Sequence, residues 1–192
     1  MFETKLCGVD GCGNPAFYNT GKCFNHLDNQ EEVMESLKSM LESRQTFIDL
    51  SLPGGVLESF DFSRKHFYSC NFSGTRLKNC SFDGSLFRIC FFDFSTIDSC
   101  TFKKTDMQSC VFAGSHISHT NFGESEMLHV NFNGIQCKDT HFDDSDLYFS
   151  RFIKSRLEEV GFTDCNLKAV KYSNSNMNNV SFKYSNYEDA QF

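Results

Sequence analysis

The chain contains no tryptophan, only two prolines and no apolar run approaching about eighteen residues. The last of these excludes a membrane-spanning helix. The opening residues, MFETKLCGVDGCG, lack the apolar stretch of a secretory signal, so the expected location is cytoplasmic. Lysine and arginine number 18 against 25 acidic residues, a formal net charge of −7, and they form no cluster to receive a phosphate backbone. Catalytic patterns are also missing. There is no HExxH, no glycine-rich phosphate loop and no nucleophile motif beside His66, His116, His119, His129 or His141. The expectation is a protein that is not an enzyme.

What the chain has in excess is phenylalanine (23) and cysteine (10) in 192 residues. Their positions are periodic. From Phe62 to Phe192, 13 of the 14 residues whose number ends in 2 are Phe, Tyr172 being the exception. Every residue whose number ends in 7, from Leu57 to Tyr187, is apolar or aromatic. The period is five and runs through 28 units from Leu57 to Phe192. Two residues before each centre stands a small one: 24 of the 25 such positions from Cys70 to Ala190 are Ser, Thr, Cys, Val or Ala, with Ile135 the exception.

Five matches neither the helical period nor the two-residue period of a strand. Small and large residues two apart point to the same side of a short extended piece. The next two residues, such as Ser73-Gly74, Asp83-Gly84 and Asn133-Gly134, then turn a corner. Such a chain winds into coils that bury their phenylalanines only by stacking. The Phe/aliphatic alternation repeats every ten residues, which favours an even number of sides per coil. On these residues, 57–192 resembles the pentapeptide-repeat family in a phenylalanine-rich form. The resemblance implies an all-β fold, a right-handed quadrilateral β-helix of four units per coil. At about 4.8 Å per coil, about seven coils make a rod roughly 33 Å long. The scarcity of proline fits an uninterrupted ladder of N–H donors.

The cysteines fall into two groups. Cys70, Cys80, Cys90, Cys100, Cys110 and Cys165 take the small slot and Cys137 a central one, as expected of inert buried thiols. Cys7, Cys12, Cys23 and His26 form C-x4-C-x10-C-x2-H, a soft ligand set suited to tetrahedral Zn²⁺. The string CGVDGCGNPAFYNTGKCFNH resembles the short zinc-binding modules of the C…GC…PA…G-x-C-x-x-H type. Four ligands leave no open position, so the expected role is structural, and metal removal is expected to unfold the module and leave the solenoid intact.

Three segments follow: a zinc module over 1–27, an amphipathic capping helix over 28–50 and the β-helix over 51–192. In the helix Asp28 is the expected N-cap with Glu31 three residues on. Val33, Leu37, Met40, Leu41, Arg44 and Ile48 make one stripe, and Pro53-Gly54-Gly55 ends the segment. The helix is expected to cover the first coil, shielding Phe62 and Phe67. The far end, with Phe182, Tyr187 and Phe192, has no cap and is the expected interface of a tail-to-tail homodimer.

The functional expectation is a non-enzymatic protein-binding scaffold with structural zinc and a protein partner. The family includes proteins that bind DNA gyrase and topoisomerase and protect against quinolones, in part by imitating DNA with an acidic rod. Topoisomerase binding is therefore one alternative, although residues 57–192 carry 17 acidic against 14 basic side chains and no interrupting loop. Nucleic-acid binding through the zinc module is a second, weakened by the balance of Lys5 and Lys22 against Glu3 and Asp10.

Overall fold

The computed structural model describes residues 5–192, so the first four residues of the expected 1–27 module lie outside the described residues. Two parallel sheets run along opposite sides of a rod, one of five strands and one of seven. Each residue pairs with one twenty positions away: Phe47 with Phe67, Phe67 with Phe87, Leu57 with Leu77 and Leu77 with Ile97. Twenty residues at five per side make four sides to a coil. On the first side lie the strands beginning with β1 (Thr46–Ile48), and on the third those beginning with β2 (Val56–Glu58). The second and fourth sides are joined by single parallel bridges such as Ser51–Asn71 and Asp61–Ser81. The chain is thus an all-parallel β-solenoid with one helix. No helix among the described residues is long and apolar enough to cross a membrane.

The ten-residue alternation becomes a division of labour between sides. Phe62, Phe82, Phe102, Phe122 and Phe142 stack at 4.4–4.9 Å along the fourth side. Phe72, Phe92, Phe112, Phe132 and Phe152 stack at 4.7–5.0 Å along the second. Across the axis the two ladders meet edge to face, as at Phe62–Phe72 (5.9 Å, 90°). Rings within a ladder lie nearly parallel at the coil spacing, and rings between ladders present edge to face, the latter a favourable quadrupole geometry. Chiefly aliphatic and methionine side chains fill the other two sides.

The small slot is a hydrogen-bonding position as well as a steric one. Ser115 Oγ donates to the carbonyl of Phe92 (2.6 Å) and accepts from the N–H of Ser95 (3.1 Å). Cys90 and Cys80 repeat the first contact, their thiols reaching Phe67 O and Leu57 O at 3.4 Å. This explains why Ser and Cys share the slot: each places a donor where the previous coil turns a buried carbonyl inward. Thr75 and Thr105 instead donate within their own coil, to Phe72 O at 2.7 Å and Phe102 O at 2.9 Å. All ten cysteines are free. Burial pushes the Cys137 and Cys165 thiols up to about 12, which keeps them protonated.

The N-terminal boundary differs from the sequence expectation. Helix α1 spans Gln30–Ser43, and Asn29 is its N-cap: its Oδ1 accepts from Glu32 N at 3.2 Å. Asp28 instead pairs with Lys22 at 2.8 Å. Thr46–Ile48, expected to be helical, is β1, and Ile48 faces solvent. Phe47 and Leu52 are buried at central positions, so the five-residue period begins at Phe47 and Pro53-Gly54-Gly55 is a corner within it. A β-branched pair around Phe47 gains a strand partner and a ring stack on Phe67 at 5.3 Å, which outweighs continuation of the helical stripe. Helix α1 buries Leu37 and Leu41 in the same core cluster as Leu52, Leu57 and Phe62, and its Lys38 Nζ lies 5.1 Å over the ring of Phe60.

Candidate metal centre

The N-terminal segment is a small hairpin closed by backbone hydrogen bonds. Leu6 and Pro15 form an antiparallel bridge, Cys7 N donates to Asn14 O (2.9 Å), and Cys12 N turns back to Val9 O (3.0 Å). Gly8 N reaches Gly21 O at 2.9 Å, which draws the second half of the segment over the first. Gly11 and Gly21 stand at φ +75° and +71°, left-handed corners that a side chain would strain. A 3₁₀ turn, Phe24–His26, follows Cys23 and brings His26 back toward the thiols.

These turns bring all four expected ligands together. Cys12 Sγ and Cys23 Sγ lie 3.8 Å apart, Cys7 Sγ and His26 Nδ1 3.3 Å, and Cys23 Sγ and His26 Nδ1 3.5 Å. The four ligand atoms all lie within 4.8 Å of one another. A tetrahedral ion with bonds of about 2.3 Å to sulfur and 2.0–2.1 Å to nitrogen requires edges of about 3.8 Å between sulfurs and about 3.5 Å from sulfur to nitrogen. The observed separations fit those edges. Cys7 is held at about 6, chiefly by the backbone N–H of Cys23 pointing at its sulfur, so one ligand is already poised as thiolate. Cys7 and Cys23 are buried, Cys12 is half-buried and His26 is exposed.

The segment has little core of its own and borrows that of the rod. Phe17 is fully buried and meets Phe24 edge-on at 5.2 Å. Tyr18 N donates to Ser51 O at 2.6 Å in the first coil, and Gln30 Nε2 of α1 donates to Phe24 O at 3.1 Å. The four residues expected as ligands do come together, while Phe17 and Phe24, the contacts that seat the segment, were not read from the sequence. It also missed a set of exposed apolar corners. Ile89, Phe94 and Phe149 occupy left-handed positions (φ +56°, +55° and +59°) and are 55%, 74% and 44% exposed. One signal was available, since Phe94 interrupts the glycines Gly54, Gly74, Gly114 and Gly134 of a corner column that ends in Lys154 and Asn174.

The remaining expected site residues lie at the other end. Phe182 is half-buried, while Tyr187 and Phe192 are 57% and 62% exposed on the last coil. Phe192 stacks on the buried Tyr172 at 5.3 Å and meets Phe182 at 5.4 Å and Tyr187 at 6.5 Å, so Phe182, Tyr187 and Phe192 form one surface rather than separate side chains.

Taken together, the molecule is a parallel β-solenoid with a three-cysteine, one-histidine cluster at its N-terminal end. Residues 122–192 match the pentapeptide repeat region family, and the same five-residue period runs through the rest of the rod. Among curated proteins none matches. Among solved structures, trypsin-treated QnrB1, a plasmid-mediated fluoroquinolone resistance protein, is similar at 14% identity. The match covers 76% of this chain and 91% of that one, with a TM-score of 0.42. The pentapeptide repeat protein Rfr23 from the cyanobacterium Cyanothece 51142 is similar at 11% identity, over 83% and 99% of the two chains, with a TM-score of 0.29. A pentapeptide repeat protein from the Arabidopsis thaliana thylakoid lumen is similar at 14% identity, over 62% and 65%, with a TM-score of 0.33. At these identities and scores the likeness carries no functional argument.

Proposed function

We propose that the protein is a non-enzymatic scaffold that binds another protein along its rod, with a structural zinc ion held by Cys7, Cys12, Cys23 and His26. The observation that carries the binding reading is the set of bulky apolar residues at strained corners. A left-handed β-branched or aromatic residue costs about 1–2 kcal/mol relative to glycine's ease there. Ile89 and Phe94 bear that cost while facing solvent, one at each edge of the second side. The left-handed corner itself recurs every five residues along the rod, so what sets Ile89 and Phe94 apart is the bulk of the apolar side chain each exposes there. Phe94 also walls a groove of about 450 Å³ with Pro15, Phe24, Pro53 and Gly74, so the apolar surface continues onto the metal module. Neutral side chains (Asn14, Asn25, Asn71) border it, which fits a polypeptide presenting an aliphatic or aromatic anchor better than a polyanion.

The test is a photo-crosslinking residue placed at 94 and, as a control, at 99 on the third-side corner. Partner crosslinks at 94 that vanish in the Ile89→Asn variant, with an unchanged melting temperature or a higher one, support the reading. Equal yields at both positions sink it. A purified topoisomerase tested in a supercoiling assay, and a salt-dependent shift assay with nucleic acid, examine the two other partner classes directly. Ten free thiols fit a reducing cytoplasm.

The last coil supports a homodimer. Among the described residues nothing covers Phe182, Tyr187 and Phe192, and the strand edge beside them is open. A two-fold contact of this surface with itself closes both edges at once. Light scattering at the mass of a dimer, reduced to a monomer by Phe192→Asp, is the expected result; a monomer in the unaltered protein removes the proposal.

A further inference from the structure

The small slot on the third side reads Thr75, Ser95, Ser115, Ile135, Ser155, Ser175 from the second coil onward. In the first coil the same slot is Gly55. A Cβ built there falls 2.5 Å from Phe17 Cε2, so the ring of Phe17 stands where every later coil has its own side chain. The repeat has been emptied at one position and the metal module fills it.

From this we infer that the metal centre is a latch on the N-terminal end of the solenoid: metal occupancy controls whether the first coil is closed. The inference rests on the zinc reading of Cys7, Cys12, Cys23 and His26. Its path is a chain of contacts. Cys23 and His26 bracket the 3₁₀ turn that carries Phe24, so ligation fixes that turn. Phe24 packs edge-on against Phe17 at 5.2 Å, and Phe17 plugs the Gly55 slot. Beside it Tyr18 N donates to Ser51 O, and Tyr18 Oη reaches Met40 Sδ of α1 at 3.5 Å. The module has no second apolar layer to hold its shape when the ligands are free. Without metal, Phe17 and Phe24 lose the turns that orient them, and the first coil is left with a vacant slot and an unpartnered Ser51 carbonyl. The first coil then frays, exposing Phe47, Leu50 and Leu52 beside an open parallel edge. Metal removal thus reaches beyond the module into the solenoid, but stops at the first coil, because later coils fill their own slots.

The test is hydrogen exchange on the full chain, before and after treatment with a zinc chelator, with metal content followed by native mass spectrometry. Loss of one zinc per chain should speed exchange roughly tenfold or more at the amides of Asp49, Leu52 and Gly54, which bond to Tyr68, Asn71 and Ser73. The amides of Phe112 and Asn131, in the middle coils, should not change. The Gly55→Ser variant should show the same local loosening with zinc still bound, because the serine expels the ring and not the ion. If zinc departs and Cys7 and Phe17 lose protection while Asp49, Leu52 and Gly54 keep theirs, the latch is refuted and the zinc reading stands. If no zinc is bound at the outset, both fail, and the stoichiometry distinguishes the two results.

Discussion

The two ends of the rod are made from the same five-residue unit and finish in opposite states. At the N-terminal end Phe47, Leu52, Leu57 and Phe62 are buried, in one core with Leu37 and Leu41 of α1 and with Phe17 and Phe24 of the N-terminal segment. At the C-terminal end the equivalent residues Met177, Phe182, Tyr187 and Phe192 are half-buried or exposed. A repeat buries a coil only between two others, so a terminal coil depends on something that does not repeat. The N-terminal end has such a cover within the chain. The last coil lies bare among the described residues, which is the physical basis for proposing a second copy there.

The sharpest way to test this contrast is to remove the same ring at both places. Phe92→Ala, in the middle of the second-side ladder, should cost about 3–5 kcal/mol in denaturant unfolding. Phe192→Ala, from the same column at the bare end, should cost the isolated chain well under about half of that, because it leaves no enclosed cavity. Equal losses would mean the last coil is covered in solution.

A smaller effect is expected from the hydrogen-bonding slot. Ser115→Ala leaves the Phe92 carbonyl and the Ser95 N–H without their partner in a buried setting and should destabilise by about 1–3 kcal/mol, read as a lower denaturant midpoint. Ser115→Cys should recover part of the loss, since Cys90 and Cys80 make the same carbonyl contact.

Tyr172 provides a change of opposite sign. Its hydroxyl is buried one coil below the bare end and has no hydrogen-bond partner. Tyr172→Phe restores the ladder residue and should raise stability by about 1 kcal/mol. A fall instead would show that the hydroxyl finds a partner in the assembled protein, and would direct attention back to the C-terminal end.

The least of the expected effects is electrostatic. Asp98 accepts from His119 Nδ1 at 2.9 Å and from Ser118 Oγ at 2.8 Å, and these contacts, His119 first, hold its carboxyl below the usual range. The contribution is therefore present above the unfolded-state value near about 4 and is lost as pH falls through the lower folded value. Asp98→Asn should remove that slope with a change of only a few tenths of a kcal/mol, as befits a surface pair.

Much of the architecture was legible because it is periodic. The spacing of Phe62, Phe72 and their successors demands one inward direction every five residues, and only a coiled, stacked chain supplies it. The clustering of Cys7, Cys12, Cys23 and His26 was legible because thiolate and imidazole in that spacing have few other uses. Less visible was the start of the solenoid. Thr46–Ile48 continues a helical stripe as readily as it opens a strand, and only Phe47 and Leu52, read backward from Leu57, mark it as coil. The Gly55 slot is visible as a gap in a column, but a gap does not name its occupant.

By itself the sequence determined the period, the inward residues and the three-cysteine, one-histidine set, because each is a local pattern of side-chain chemistry repeated or spaced along the chain. Tertiary structure alone decided that the phenylalanines form two facing ladders, that Phe17 replaces the missing side chain of Gly55, and that Ile89 and Phe94 project from strained corners. Those outcomes depend on contacts between residues that stacking brings together, here twenty or more positions apart, and on which end of the stack has something to cover it.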